Sequence, residues 1–189
     1  VYDALEKQFY AEFDEHTIGA PNVLVKLLRL SEVAGGFVHA APEGEAVQVD
    51  HAKLHLLQDV VEEIGDEKVV IFCRFTAERH AIAAMLRGMG RKVGELHGGQ
   101  SILARALTLA GFNRKTQVLV AMLQVASSAI DLSVARYAVY YSVGFSLGDV
   151  AQSRGRIRRQ GQTRPQVYLS LVTKDTIDEY ISRALSRKQ

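Results

Sequence analysis

Three short runs of continuous apolar residues constrain the fold of this chain most strongly. They are KVVIFC (68–73), QVLVAM (117–122) and YAVYYS (137–142). A strand with one face in solvent alternates apolar and polar residues, whereas these runs do not, so both faces of each strand must be covered. Segments with helical periodicity lie between the runs, at 77–90 and 102–112. We therefore predict an α/β fold, a doubly wound parallel sheet with helices on both faces.

Weaker patterns complete this sheet domain. KVGELH (92–97) and QVYLSLV (166–172) are predicted to add two strands. Helices are predicted over 51–64, from about Leu147 onward, and over 175–188.

Residues 1–49 are predicted to form a mostly helical lead-in outside the sheet, which itself occupies 50–189. An apolar stripe with helical spacing covers 4–13, and a second helix is predicted over 22–36, which ends at a glycine pair. The segment 37–49 contains proline, glycine and two glutamates, a composition typical of an exposed loop.

Composition excludes several classes of protein. With 189 residues, 48% of them hydrophobic, the chain can bury one sizeable core. Its single cysteine, Cys73, excludes an internal disulfide, fits a reducing compartment and is predicted to be a buried structural thiol. No Cys/His cluster has metal-ligand spacing, so no metal site is expected. We find no apolar run of membrane-spanning length and no signal-peptide pattern, and we expect a cytoplasmic protein without a membrane partner.

The charge distribution is uneven. Residues 1–67 contain 4 Lys and Arg against 14 Asp and Glu, a net charge of −10, whereas residues 68–189 contain 19 against 7, a net charge of +12. A basic body of this kind favours a nucleic-acid-facing surface. The alternative is that the acidic segment lies against the basic body and neutralises it.

The stretch QSRGRIRRQGQ concentrates four arginines within six positions. They form either a solvated helix face or a site for polyanions, because guanidinium groups bind phosphate well. At about 100° per residue, Gln152, Arg156 and Arg159 fall on one face of a helix, whereas Arg154 and Arg158 lie nearer its apolar side. Three long polar groups on one face favour the polyanion site.

The same stretch resembles motif VI of superfamily-two helicases and translocases of the Swi/Snf-like branch, in the pattern Q-x-x-G-R-x-x-R-x-G-Q. KVVIFCRF resembles motif IV, ELHGGQS a glycine-containing segment after the next strand, and QVLVAMLQVASSAIDLSVARYAVYYS motif V with its flanking strands. QVYLSLVTKDTIDEYI resembles the closing strand and helix. The segment YYSVGFSLGDVAQSRGRIRRQGQTRP is similar to the corresponding segment of phage-encoded members. This resemblance covers 50–189, and 1–49 looks like the helical segment that precedes the domain.

The resemblance implies a RecA-like second domain, of the P-loop NTPase type, from a two-domain motor that binds ATP and Mg²⁺ between its domains. Such a domain is part of a nucleic-acid-dependent ATPase, a DNA helicase or translocase. Arg156 and Arg159 match the arginine fingers, which neutralise charge on the transferred phosphoryl group. Asp131 matches the acidic position of motif V, where it would pair with a finger, and Gln152 matches the polar first position of motif VI.

Loops after the predicted strands are candidates for binding the nucleic-acid backbone. The loop after motif IV could touch this backbone, and the turn between the next strand and helix has free N–H groups that suit a phosphate. The alternative for this turn, which includes Gln100, is an ordinary loop with a serine N-cap. The serines of motif V could bind phosphate or be loop residues. The candidates are Arg74, Phe75, Thr76, His97, Gly98, Gly99, Ser101, Ser127 and Ser128.

Two departures from the family pattern bear on activity. The sequence contains no G-x-x-x-x-G-K-[ST] and no D-E-x-H-like stretch. We therefore expect the phosphate-binding loop and magnesium carboxylates in an N-terminal RecA-like domain of the same full-length protein, and no ATP hydrolysis by this chain alone. Motif V, which is rich in glycine in the family, has Ala126, Ser127 and Ala129 here.

Two other functions remain to be compared with the motor. A non-catalytic nucleic-acid-binding module would keep the fold but never bring Arg156 and Arg159 to ATP. A Rossmann-type enzyme would need G-x-G-x-x-G after the first strand, which IFCRFTAERH lacks. For the motor we expect Arg156 and Arg159 to face solvent at the end of the sheet formed by the strands' C-termini, and we expect the protein in the cytoplasm of a bacterial or phage-infected cell.

Overall fold

The computed structural model describes residues 1–8, 10–13, 16–39, 45–126, 130–159 and 162–187. The helices are α1 (Tyr2–Gln8), α2 (Val23–Ala34), α3 (Ala52–Ile64), α4 (Thr76–Gly88), α5 (Ile102–Arg114), α6 (Leu123–Ala126), α7 (Leu147–Ile157) and α8 (Ile177–Ser186). The strands are β1 (Tyr10–Phe13), β2 (His16–Gly19), β3 (Phe37–His39), β4 (Ala46–Gln48), β5 (Val69–Cys73), β6 (Val93–Leu96), β7 (Val118–Met122), β8 (Tyr137–Tyr140) and β9 (Val167–Ser170).

A five-stranded parallel sheet forms the centre of the molecule, with the strand order β6-β7-β5-β8-β9. Strand β5 is central, and its Val69 lies opposite Val118 of β7 and Tyr137 of β8. All five residues of β5 are buried, including the thiol of Cys73. Continuous apolar strands therefore form the buried centre of the sheet, as their sequence predicts.

Helices cover both faces of this sheet. Successive β5 residues point to opposite faces, and Ile71 packs in a cluster with Leu57 of α3 and Ile82 of α4. Phe72 packs in a second cluster, which includes Ile157 of α7. The predicted doubly wound α/β fold is confirmed. None of the helices in the described ranges has the length and apolar character needed to cross a bilayer.

The N-terminal segment is less helical than predicted. Its first helix ends at Gln8, and residues 10–13 form a strand that pairs with 16–19 as an antiparallel hairpin. Ala11 and Ile18 lie directly opposite one another in this hairpin, and both are buried. This cross-strand contact competes with the helical stripe over 4–13. The second helix, α2, agrees with its prediction.

The prediction of an exposed loop over 37–49 is wrong at both ends of that segment. Residues 37–39 and 46–48 pair as a second hairpin, with Val38 opposite Val47. Val38 is fully buried, because the strand supplies apolar surface to the core despite the proline, glycine and glutamates nearby. Residues 40–44 lie outside the described part of the chain.

Hydrogen bonds between residues distant in sequence join the N-terminal segment to the sheet domain. The backbone N–H of Ile177 in α8 donates to the hydroxyl of Tyr2 at 2.6 Å. Thr173 donates to a carbonyl at the end of α2 at 2.9 Å, and the Tyr141 hydroxyl donates to the carbonyl of Gly35 at 2.8 Å. The boundary between a lead-in and a sheet domain at residues 49 and 50 stays a prediction.

Candidate functional site

Helix α7 carries two of the four clustered arginines, Arg154 and Arg156, and lies against the sheet. Val150 and Ile157 are buried on its inner side. The hydroxyl of Ser153 hydrogen-bonds the hydroxyl of Tyr140 at 2.8 Å, which ties the helix to β8. The apolar side predicted for this helix therefore faces the core.

The end of α7 differs from the prediction. The helix ends at Ile157, and Arg158 has an extended backbone with φ −80° and ψ 116°. Gln152 and Arg156 remain one helical turn apart, Gln152 exposed and Arg156 half-buried. Arg159 lies beyond the helix and is exposed. The prediction that all three side chains share one helical face is therefore wrong for Arg159.

The side chain of Gln162 explains where the chain leaves the helix. Its Nε2 donates to the carbonyl of Ile157 at 2.9 Å and to the carbonyl of Ser133 at 2.8 Å. Its Oε1 accepts the backbone N–H of Arg159 at 2.8 Å. A helix leaves its last carbonyls without intrahelical partners, and this amide satisfies one of them. The sequence analysis missed this role, although Gln162 is the last residue of the quoted pattern.

The loop before β8 contacts the same segment from the other side. The N–H of Leu132 donates to the carbonyl of Arg156 at 3.1 Å. Asp131 accepts the N–H of Ser133 at 2.9 Å. Hydrogen bonds from Ser133 hold the pKa of the Asp131 carboxyl below its ordinary value, and the nearby charge of Arg159 adds to this effect. None of the ion pairs among the described residues includes Asp131. Its carboxylate and the guanidinium of Arg159 therefore interact by electrostatic attraction without direct contact.

Arg156 and Arg159 lie at the opposite end of the sheet from the one predicted. Helix α7 starts after the C-terminus of β8 and runs back to the N-terminus of β9. A crossover helix between parallel strands must reverse direction in this way. We call the end formed by the strands' N-termini the amino end. It has a surface cavity of about 460 Å³, lined by Ser133 and Gln162 with residues that precede strands, such as Lys68 and Arg136.

Part of the acidic segment pairs with the basic body at this amino end. Asp66 binds Arg91 at 3.1 Å, and Glu67 binds Arg136 at 3.0 Å and also Arg164. Hydrogen bonds from Arg164 and then Arg136 lower the pKa of the Glu67 carboxyl. The neutralisation that the sequence left open therefore occurs for these three arginines.

A second group of candidates lies at the carboxyl end of the sheet, formed by the strands' C-termini. The N–H groups of Arg74 and Phe75, just after β5, donate to one carboxylate oxygen of Glu78 at 3.1 Å each. The Arg74 N–H also donates to Ser142 Oγ at 2.8 Å. The Arg74 guanidinium lies 5.1 Å from the centre of the Phe75 ring. Thr76 is exposed and begins α4.

The residue that organises this loop, Glu78, was not among the predicted candidates. Its side chain is fully buried, and burial raises the pKa of its carboxyl to about 7. The Ser142 hydroxyl donates to the same oxygen at 2.5 Å. A glutamate three residues into a helix is the usual partner in a capping box, and this position was the available sequence signal.

The turn after β6 contains the serine N-cap that was one of the two alternatives left open by the sequence. Ser101 acts as the N-cap of α5, since its Oγ accepts a backbone N–H of the first turn at 3.2 Å. The amide of Gln100 accepts the N–H of His97 at 3.1 Å. Burial, with the charge of a nearby arginine, lowers the pKa of His97. Gly98 and Gly99 are exposed, and their phosphate-binding role stays a prediction.

The strand order determines which candidates lie together. The loops after β5 and β6 share the carboxyl end, with β7 between their strands. Ser127 and Ser128 follow β7 but lie outside the described residues, as does Ala129. Asp131, Arg156 and Arg159 lie near the amino end. Searched over its described ranges, the chain has no group of three His, Cys, Asp or Glu side chains that could hold a metal ion.

The fold and the loops around the sheet define a RecA-like domain of the kind found in the C-terminal halves of helicases. Residues 52–161 match the family described as "Helicase conserved C-terminal domain". This match spans more than half of the chain, which therefore belongs to that family.

Curated relatives include viral and eukaryotic proteins. "Putative protein p41" of Acyrthosiphon pisum secondary endosymbiont phage 1 is 24% identical over 195 residues, 100% of this chain and 40% of its own length. "ATP-dependent helicase fft2" of Schizosaccharomyces pombe is 24% identical over 144 residues, 74% of this chain and 11% of its own. "DEAD-box ATP-dependent RNA helicase 21" of Oryza sativa is 33% identical over 111 residues, 58% of this chain and 15% of its own. The chain spans less than half the length of these relatives.

Two solved structures resemble the fold closely. The C-terminal part of the Fun30 ATPase domain gives a TM-score of 0.66 at 25% identity, over 70% of this chain and 45% of that one. The Sulfolobus solfataricus SWI2/SNF2 ATPase core domain gives a TM-score of 0.68 at 21% identity, over 88% of this chain and 34% of that one. The resemblance to the Swi/Snf-like branch of superfamily two is confirmed. The phage relative agrees with the similarity of residues 140–165 to phage-encoded members.

Proposed function

We propose that this chain is the C-terminal motor domain of a nucleic-acid-dependent ATPase, a DNA helicase or translocase. ATP and Mg²⁺ would bind between this domain and an N-terminal RecA-like domain of the same protein. Support for ATP comes from the names of two relatives, each called an ATP-dependent helicase. The choice of DNA follows from the resemblance to the Swi/Snf-like branch of helicases and translocases.

The observation that carries this proposal is the set of hydrogen bonds that holds the backbone of residues 156–159 in place. Gln162 fixes the backbone of Arg159, and Leu132 fixes the carbonyl of Arg156. The Arg159 side chain itself is exposed. A group that stabilises a transition state must be positioned before the reaction, since reorganisation during the reaction is costly. A fixed backbone with an exposed guanidinium meets that requirement.

In this proposal the residues at the amino end act on the nucleotide. Arg156 and Arg159 neutralise the charge of the γ-phosphoryl group as it is transferred. Asp131, whose pKa is held low, stays ionised and orients Arg159 through its charge. Gln152, one turn before Arg156, contacts the nucleotide. Mg²⁺ and the phosphate-binding loop belong to the N-terminal domain, because this sequence lacks their motifs.

The carboxyl end would form part of the nucleic-acid track. Arg74, Phe75 and Thr76 offer a cation, an aromatic ring and a hydroxyl on one loop. At the same end of the sheet, the turn over 97–101 contributes the exposed Gly98 and Gly99. Such groups bind phosphates without reading sequence, so we expect binding that weakens as salt rises.

The test is steady-state ATP hydrolysis by the two-domain protein with saturating nucleic acid. Arg156→Ala and Arg159→Ala should each reduce turnover about 10³-fold, while the affinity for ATP and the folding remain near wild type. Arg159→Lys should not restore turnover, because an ammonium cannot reproduce the planar fork. Arg158→Ala is the matched control, an exposed neighbour that should keep its turnover.

The outcomes separate the motor from its alternative. If Arg156→Ala and Arg159→Ala hydrolyse ATP as the wild type does, the motor function is wrong. Nucleic-acid binding that persists in such variants would then identify a non-catalytic binding module with a helicase fold.

A further inference from the structure

Glu78 lies where three segments of the chain meet. Its Oε2 accepts the N–H groups of Arg74 and Phe75 and the hydroxyl of Ser142. The first two belong to the loop after β5, and Ser142 belongs to the connection between β8 and α7. One carboxylate oxygen thus holds two loops of the carboxyl end together.

The N-terminal segment covers this carboxylate on its other side. Glu78 Oε1 occupies the space that a Cβ would need at residue 35, so a larger residue there would have to displace the carboxylate. The carbonyl of Gly35 is itself held by the Tyr141 hydroxyl at 2.8 Å. Glu78 Oε1 has no hydrogen-bond partner among the described residues. Burying a carboxylate with one such oxygen is costly, which indicates a role beyond packing.

The two loops also meet through their outer groups. The Arg74 guanidinium lies beside Gly144, where a Cβ would be 3.7 Å from its Cζ. Two residues further on, Ser146 caps the N-terminus of α7 and accepts the N–H of Asp149 at 3.3 Å. The loop after β5 therefore contacts the segment that leads into α7, the helix that carries Arg156.

We propose that Glu78 is a positioning residue for the nucleic-acid track: it fixes Arg74 and Phe75 in the geometry that binds the backbone and joins them to the start of α7. This inference rests on the proposed function for the track, but not on any role of the arginines at the amino end.

The negative charge of Glu78 matters for this role. Hydrogen bonds to a charged acceptor are stronger than those to a neutral one. The groups that face Glu78 come from three elements: Lys53 of α3, Cys73 of β5 and Tyr141, which follows β8. Lys53 favours the charged form, and it is held by Asp178 at 2.5 Å. Cys73 and Tyr141 are uncharged near neutral pH, because burial raises the pKa of both.

Glu78→Gln in this chain tests the proposal, because glutamine keeps the shape and removes the charge. Hydrogen exchange should become about five-fold faster at the Arg74 and Phe75 amides, and unchanged in β7. The affinity for a fluorescent single strand should fall by a similar factor. The ratio of wild-type to Glu78→Gln affinity should narrow as the pH falls below about 7, where Glu78 itself takes up a proton. Glu63→Gln, an exposed helical carboxylate, is the control for each measurement.

Ser142→Ala covers the case in which Glu78→Gln fails to fold, since it removes one donor and leaves the carboxylate in place. Exchange at the Arg74 and Phe75 amides should again rise. Unchanged exchange at these two amides in the folded variants would overturn the proposal. A wild-type chain that binds no nucleic acid would instead overturn the proposed track, whereas the exchange measurement would still decide whether Glu78 positions the loop.

Discussion

The amino and carboxyl ends of the sheet hold their candidate residues with different chemistry. At the amino end the neutral amide of Gln162, half-buried, fixes the segment that contains Arg159 through three hydrogen bonds. At the carboxyl end the carboxylate of Glu78, fully buried, accepts two hydrogen bonds from the loop of Arg74 and a third from Ser142. Only the second arrangement contains a group whose charge changes near neutral pH.

Helix α7 joins the two ends. It has 11 residues, and at about 1.5 Å per residue it spans roughly 16 Å. Ser146 caps it at the carboxyl end, and Gln162 binds its last carbonyl at the amino end. The comparison shows that a single helix connects the loop region at the carboxyl end to the arginine segment at the amino end, while each end keeps its own support.

The largest expected effect concerns the pH dependence of stability. Burial raises the pKa of Glu78 in the folded chain to about 7, above the ordinary value of 4.5. Between these values the folded state holds a proton that the unfolded state has released, so this group's contribution to stability falls as pH rises. The free energy of unfolding should fall by up to about 3 kcal/mol from this source between pH 4.5 and 7.

Urea unfolding at several pH values measures this contribution as the difference between wild type and Glu78→Gln. The subtraction removes groups of opposite sign, such as Asp131 and Glu67, whose lowered pKa values add stability that is lost in acid. Glu63→Gln should retain the wild-type profile. If the free energy of unfolding of Glu78→Gln varied with pH as that of the wild type does, Glu78 would not give the carboxyl end its own pH dependence.

The fold could be predicted from sequence where local pattern and tertiary context agree. Strands β5, β7 and β8 are continuous apolar runs, and burial on both faces is what such runs require. The N-terminal hairpins could not be predicted in this way. Leu5 fits a helical stripe, but whether residues 10–13 continue that helix depends on the pairing of Ala11 with Ile18, a contact that periodicity does not contain.

For the candidate site, the sequence proposes residue types but does not determine where they lie. The motif pattern points to Arg156 and Arg159, and helical periodicity places both on one helix. The helix ends at Ile157, however, where Gln162 binds its last carbonyl. The prediction that both arginines lie at the carboxyl end of the sheet is also wrong. The direction of the helix between two parallel strands places its last residues at the amino end. Glu78 was missed because its importance comes from burial against Gly35 and Ser142, which are distant in sequence.

A smaller effect is expected from Gln162→Ala. This change leaves the carbonyls of Ile157 and Ser133 and the N–H of Arg159 without their present partner. Because the site is only half-buried and water can replace part of this bonding, the free energy of unfolding should fall by about 2 kcal/mol. The loss should be the same at pH 5 and pH 7, in contrast to Glu78→Gln.

Gln58→Ala is the control, since Gln58 makes one exposed hydrogen bond, to Glu62. Its cost should stay below about 0.5 kcal/mol. A Gln162→Ala variant as stable as this control would show that the amide does not hold the Arg159 segment.

The smallest effect is expected from Arg74→Ala, and it tests whether the two ends act separately. The backbone of this loop is held by Glu78 and Ser142 through main-chain N–H groups, so removing the side chain should leave the loop in place. The affinity for single-stranded DNA should fall about ten-fold at low salt, and the slope of log affinity against log salt should drop by about one. Arg187→Ala, an exposed arginine at the end of α8, should leave both unchanged, as should Arg159→Ala at the amino end. If Arg159→Ala lowered the affinity and the salt slope as much as Arg74→Ala, the nucleic acid would contact both ends of the sheet, and the division into a nucleotide end and a nucleic-acid end would be wrong.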